Sequence, residues 1–243
     1  TGADFADVLI EDNICNGFKA YMIDSATRIS NMTITGSGDP SSVSMNDHAG
    51  MFIRSSNWAP YIEDLTVSDS AGDGIMLWKA SLQGANWLTE NNAGAGLYVR
   101  EAHPQVVGVV TTGNGENGLY VYDSSNIEFA DLVSSDNGVS ALLPKNGIGL
   151  YFEKSNDLMS ASKNVTCIRC SSTNDAWGGV YALKSVDMQF FDLVVTDPGN
   201  GARAVEVDNS NMQFNGWVTF DGLTVQANRS GPIVQFTDAD AHL

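Results

Sequence analysis

One short pattern, Gly118-Leu119-Tyr120-Val121-Tyr122-Asp123, returns along almost the whole chain and limits its fold more than any other feature. Superposing the chain on itself aligns this segment with residues 20–25, 50–55, 74–79, 96–101, 149–154, 179–184, 204–209 and 233–238. Measured at the fourth member, from Ile23 to Phe236, successive copies lie 30, 24, 22, 22, 31, 30, 25 and 29 residues apart. Self-similarity at such a spacing belongs to architectures that stack one short unit on the next.

Inside each copy the first and third strand positions are apolar, as in Leu97 and Val99, Leu119 and Val121, Leu150 and Phe152. That period of two is a strand with one buried face. A glycine opens six copies, often after Asp or Asn as in Asp73-Gly74 and Asn117-Gly118, which marks a turn. A Ser/Asn corner and a second apolar stretch follow, for example Ile62-Glu63-Asp64-Leu65-Thr66-Val67. No segment has a helical apolar period long enough for a crossover helix, so equivalent strands must pair in parallel. One coil per repeat, with strands about 4.8 Å apart, predicts a parallel β-helix whose inward columns form one continuous core.

The running order of Gly, apolar strand, Ser-Asn corner, apolar strand and Asn-rich turn is carried by Ser124-Ser125-Asn126-Ile127, Ser155-Asn156-Asp157-Leu158, Ser185-Val186-Asp187-Met188 and Asn209-Ser210-Asn211-Met212. In this order the chain resembles the right-handed parallel β-helix superfamily of pectin-lyase-like proteins, over roughly residues 5 to 240. The resemblance implies an all-β, single-stranded right-handed parallel β-helix of about nine to ten coils. It implies secreted polysaccharide lyases and hydrolases, epimerases, bacteriophage tailspikes or structural surface proteins alike, because a fold does not set an activity. Right-handedness comes from the resemblance and from the general crossover rule.

Composition narrows the partners. Twelve basic residues stand against 29 acidic ones, a formal charge of −17. This argues against nucleic acid, and against polyanions unless a local basic patch overrides the field. No run of 18 apolar residues could insert in a membrane. A single domain is expected, as part of a processed or larger chain or of an assembly that covers the strand edges at the solenoid ends. Of Cys15, Cys167 and Cys170, Cys167 is read into the column of Val67 and Val225 as a small core hydrophobe. On a continuous strand Cys167 and Cys170 would point to opposite faces, which counts against a shared metal.

Stacking makes columns of the outward positions. The second reads Met22, Phe52, Met76, Tyr98, Tyr120, Tyr151, Tyr181, Glu206, Gln235, and the fourth Asp24, Arg54, Trp78, Arg100, Tyr122, Glu153, Leu183, Asp208, Thr237. An aromatic face of this extent marks a binding surface or a subunit interface. As a glycan platform it would contact sugar through Trp78, Tyr98, Arg100, Tyr120, Tyr122, Tyr151 and Tyr181. As an interface it would pack copies into a homotrimer or a larger virion or surface assembly. A third reading has the tyrosines only stacking on one another to support the sheet.

At the fifth position Lys79, Glu101, Asp123, Lys154 and Lys184 align. Glu101 and Asp123 on adjacent rungs, with Glu153 one rung further, are the candidate catalytic carboxylates, at a separation of about 5 Å that suits retaining glycoside hydrolysis. The flanking lysines favour a plain surface charge ladder instead. Arg100, Tyr120 and Tyr122 could serve a lyase, but the calcium-binding acidic cluster with a catalytic Arg, and the Asp-Pro-His-Glu segment of alginate epimerases, are absent. His48, His103 and His242 read as solvated loop or corner residues, the Asp-rich turns lack regular calcium-ligand spacing, and no metal or cofactor is expected. The long turns over residues 36–49 and 137–148 are candidate site walls. Asn31-Met32-Thr33, Asn164-Val165-Thr166 and Asn228-Arg229-Ser230 fit glycosylation acceptors. The expectation is an extracellular or virion-surface, tailspike-like protein that binds polysaccharide or cell-surface glycan and degrades it as a hydrolase or lyase, or else a non-enzymatic structural or decoration protein.

Overall fold

The computed structural model describes residues 2–38, 48–54, 59–138, 146–153, 164–185, 187–199, 203–209, 217–226, 234–237 and 240–242. Among them every strand pairs in parallel, in two sheets. The first has nine strands, in spatial order Phe18–Tyr21, Met51–Arg54, Ile75–Trp78, Leu97–Arg100, Leu119–Tyr122, Ile148–Glu153, Gly178–Leu183, Val205–Asp208 and Val234–Thr237. The second has eleven, from Asp4–Glu11 through Arg28–Thr35, Tyr61–Ser68, Ser81–Glu90, His103–Thr112 and Ile127–Ser135. It continues through Val165–Ile168 with Ser171–Thr173, then Met188–Thr196, Trp217–Gln226 and Asp240–His242. Each coil contributes to both sheets, which is the expected parallel β-helix of about nine to ten coils.

Three columns of left-handed residues bend each coil. One closes the nine-stranded sheet at Met22, Lys79, Glu101, Asp123 and Lys184, all with φ between 47° and 54°. A second breaks the long strands at Asp7, Asn31, Asp64, Asn86, Gly108, Asp131, Arg169, Asp192 and Gly222. The pairing register skips these positions, as between Ala6↔Ser30 and Val8↔Met32. A third ends the second sheet at residues such as Asp12, Gly36, Asp69, Asn91 and Gly113. The eleven-stranded sheet is therefore folded along a corner, and the solenoid has three faces. Asp, Asn and Gly dominate the second and third corners because they adopt positive φ most cheaply, whereas Met, Lys and Glu hold most of the first.

Eight of the nine copies pair in the register read from the sequence, for instance Tyr120↔Tyr151 and Val121↔Phe152. The first is corrected: Ala20, and not Ile23, lies opposite Ile53. The coil opens at Gly17, whose neighbour Phe18 donates its N–H to the Gly50 carbonyl. Lys19 and Tyr21 thus replace Met22 and Asp24 in the outward columns.

Inward residues from both sheets form the core, with Leu119, Val121, Phe129, Leu150 and Phe152 fully buried. Phe190 and Phe220 stack with centroids 5.0 Å apart, and Phe152 meets Phe190 edge-on. Cys167 stands between Phe129 and Phe190, not in the Val67 column. It is disulfide-bonded to Cys170, which corrects the expectation of opposite faces. Arg169, at φ 52°, turns the corner between them and brings Cys170 back inside. Cys15 is exposed and free.

Candidate functional site

The outward face of the nine-stranded sheet is not an even aromatic strip. Phe52 and Met76 are fully buried with Ala49, and Trp78 and Tyr98 pack at their margin. Tyr151 and Tyr181 are 5% and 7% exposed in a second cluster with Ile148, bordered by Tyr120, Trp177 and Leu183. The chain itself covers most of the column, so Tyr151 and Tyr181 offer little contact surface. Of the four tyrosines in the column, Tyr98 and Tyr120, where the two clusters meet, are the part-exposed pair.

The four tyrosine rings stack in sequence. Centroids are 4.9 Å apart from Tyr98 to Tyr120, 4.9 Å from Tyr120 to Tyr151 and 5.3 Å from Tyr151 to Tyr181. Parallel in-register pairing dictates this, since the strand spacing is close to the ring spacing. Their ring faces are turned to one another, leaving edges and hydroxyls for a ligand. Tyr120 donates its hydroxyl to Glu153 Oε2 at 2.7 Å. Burial pushes the Tyr98 phenol up to about 12, and burial followed by the bond to Glu153 pushes Tyr120 higher still, so both remain donors. Beside them the Arg54 and Arg100 guanidinium groups lie 4.4 and 5.3 Å from the Trp78 ring, and Arg100 also approaches Tyr122 at 5.7 Å. Such contacts hold two cations on the aromatic face of an acidic protein.

A cavity of about 400 Å³ opens at the N-terminal edge of these strands, lined chiefly by His48, Asp73, Gly94, Tyr98, Glu116 and Tyr120. The turns that enter the strands build it. They stack like the strands do, Gly94 N–H donating to the Gly72 carbonyl and Glu116 N–H to the Gly94 carbonyl. The stack tolerates only a small residue beside Asp73: a Cβ on Gly94 would come within 2.5 Å of Asp73 Oδ1. Asp73 Oδ1 accepts the Ala95 N–H at 2.8 Å and Glu116 Oε1 accepts from Asn146 at 3.1 Å. Burial pushes the Asp73 carboxyl up to about 7, with the Glu116 charge adding to it against the Ala95 bond. Burial raises Glu116 as well. His48 Nε2 is buried with no hydrogen-bond partner among the described residues.

Of the carboxylates singled out in the sequence, Glu153 lies beside Tyr120 at the aromatic junction and the other two sit elsewhere. Glu101 and Asp123 occupy the left-handed corner at the other end of the same strands. Glu101 is held by Lys79 at 3.1 Å and Arg100 at 3.6 Å. Glu153 faces Tyr120, and Lys154 lies outside the described residues, as do residues 142–145 and the Asn228 triplet. His103 is exposed, its Nδ1 against the Ser125 carbonyl, and the His242 side chain is outside the description. His48, read as a solvated loop residue, instead walls the cavity. Stacking strand positions alone leaves Asp73 as a turn residue before Gly74 and gives Glu116 no role. Stacking the turns at Asp73-Gly74 and Asn117-Gly118 in the same way brings both to one edge. No group of three or more His, Cys, Asp or Glu among the described residues is arranged to hold a metal.

Solved structures share this fold. The crystal structure of pectate lyase Pel9A superposes with a TM-score of 0.51 at 10% identity, over 92% of this chain and 69% of that one. The A-module of the Azotobacter vinelandii mannuronan C-5 epimerase AlgE4 gives 0.51 at 15% identity, over 96% and 76%. Compared by sequence with curated proteins, the chain matches none. The model of the right-handed β-helix region matches residues 3–158, more than half of the chain. With its coils, its parallel register and that match in agreement, the chain belongs to the right-handed β-helix family.

Proposed function

We propose that this protein binds a glycan chain across the nine-stranded sheet, where the two aromatic clusters meet, and that it does so outside the cell or on a virion surface. The observation that carries the reading is the junction at Tyr98 and Tyr120. Two stacked phenols, locked as donors, edge a cavity of about 400 Å³ large enough for a sugar ring, beside a Trp78 face held between Arg54 and Arg100. Ligand sites combine such apolar walls with a few convergent polar groups. The two structural neighbours are named for a lyase of pectate and an epimerase of mannuronan. Their likeness supports the scaffold; the face itself supports the ligand class. Trp78, Tyr98, Arg100, Tyr120 and Tyr122 would make the contacts, while Tyr151 and Tyr181 support the stack from behind. The interface reading has less to rest on, because the aromatic column is already covered within one chain.

Affinity electrophoresis through gels containing dextran, laminarin, xylan or polygalacturonate tests this. At least one should retard the protein, and Tyr120→Ala should weaken retardation about tenfold or more while Thr66→Ala, on the other sheet, leaves it unchanged. Absence of retardation in all four, or equal retardation of both variants, sinks the reading.

A further inference from the structure

We propose that the cavity is a hydrolytic site for the bound glycan, in which Asp73 is the proton donor to the glycosidic oxygen and Glu116 the base for the attacking water. The inference rests on the glycan reading above and adds a reaction to it. Two features independent of acidity carry it. Asp73 and Glu116 line the same cavity from different turns. The volume opens on the aromatic junction, so a sugar seated against Tyr98 and Tyr120 has its linkage at the cavity.

The stacking sets the geometry of attack. Glu116 hydrogen-bonds to Gly94, and Gly94 to Gly72, the residue before Asp73. The two side chains therefore leave the backbone two rungs apart, about 10 Å along the axis. Inverting sites need a water between carboxyls about 6.5–9.5 Å apart, against about 5 Å in retaining sites, and a two-rung offset of the two backbones is long enough for the former where an adjacent-rung one is not. In the step, the protonated Asp73 gives its proton to the bridging oxygen as the C1–O bond breaks, and the electron pair of that bond leaves with the oxygen as an alcohol. Water attacks C1 from the opposite face and loses a proton to Glu116. One water is consumed, one reducing end and one hydroxyl end form, and the proton on Glu116 returns to Asp73 through solvent. Asp73 suits the donor role because its surroundings keep it protonated near neutrality, and Gly94 keeps the approach to its carboxyl open.

The test incubates the protein with each of the four polysaccharides, follows release of reducing ends, and assigns the anomer first formed by proton NMR. We expect release from a polysaccharide that retards the protein, with inversion, and at least a hundredfold loss in both Asp73→Asn and Glu116→Gln while gel retardation persists. Retention without release overturns the catalytic inference and leaves the glycan reading standing. Release undiminished in either variant overturns the assignment of roles, and a first product with retained configuration overturns the two-rung mechanism. Neither retention nor release with any of the four overturns both readings. Glu128→Gln, exposed on the eleven-stranded sheet, serves as the control and should retain its rate.

Discussion

Asp175 shows how much one residue can hold in this fold. It is fully buried, and it closes a ladder in which Asn92 donates to Asn114, Asn114 to Asn137 and Asn137 to Asp175 Oδ1 at 2.8 Å. Ser172, Ser134 and the Asn137 N–H also donate to it. Burial nevertheless pushes its carboxyl from 3.8 up to about 6. Between about pH 4 and 6 the unfolded chain has released this proton while the folded chain keeps it, so the contribution to stability is complete below 3.8 and is lost as pH rises to about 6. At about 1.4 kcal/mol per unit the loss is at most about 3 kcal/mol. Asp175→Asn keeps the shape and removes the charge, so denaturant titrations should find it about 1–3 kcal/mol more stable than the parent at pH 7.5 and equal at pH 4. A less stable variant at pH 7.5 would mean that the four donors, and not burial, decide the state of this carboxyl. None of this was legible at Asp175 itself, which reads as one more polar turn residue until the coils are stacked. Arg169 hid its role for a similar reason: nothing in an arginine announces positive φ, so the pairing of Cys167 with Cys170 could not be inferred.

Among the elements, strands were legible and corners were not. Period-two alternation names the inward face directly, and in eight of nine copies it also fixed the register. It failed at Ala20 because the first coil's glycine, Gly17, lies three residues before the position the repeat suggested. The corners carry no period-two alternation, and two asparagines there with the same outward look have different weight. Asn114 is fully buried, accepts from the Asn92 N–H and side chain, and donates to the Thr89 carbonyl at 3.2 Å as well as to Asn137. Asn86 is exposed and donates its side-chain amide to Asp64 at 2.9 Å, while holding φ at 58°. Asn114→Ala leaves buried donors and acceptors unpaired and should cost about 3–4 kcal/mol. Asn86→Ala adds only the strain of a left-handed alanine and should cost about 1–2 kcal/mol. Equal losses by thermal or chemical unfolding would remove the ladder as a distinct source of stability.

At the scale of the molecule the cavity belongs to no single repeat. His48, Asp73, Glu116 and the Tyr98–Tyr120 pair come from successive coils, and each is ordinary within its own. The sequence showed which sheet bears the aromatic face, but the working edge appears only when turns as well as strands are placed one above another. The same stacking makes stability a sum over neighbouring coils, and burial varies along the axis. Phe129 is fully buried in a middle coil, between Val106 and Cys167, whereas Phe236, in the coil after Val207, is only partly buried against the core. Removing the ring at residue 129 opens a cavity between two coils that cannot close without shifting both sheets, so Phe129→Ala should cost about 3–5 kcal/mol. Phe236→Ala loses less buried area and leaves a space that solvent can fill, for about 1–2 kcal/mol. Hydrogen exchange should locate the two losses differently. Phe129→Ala should lower protection in strands on both sides of residue 129, while the effect of Phe236→Ala should stay within the last coils. If the two variants lost stability equally, or if Phe236→Ala reduced protection as far away as Leu97–Arg100, the coils would be unfolding as one unit and the nearest-neighbour account of this solenoid would fail.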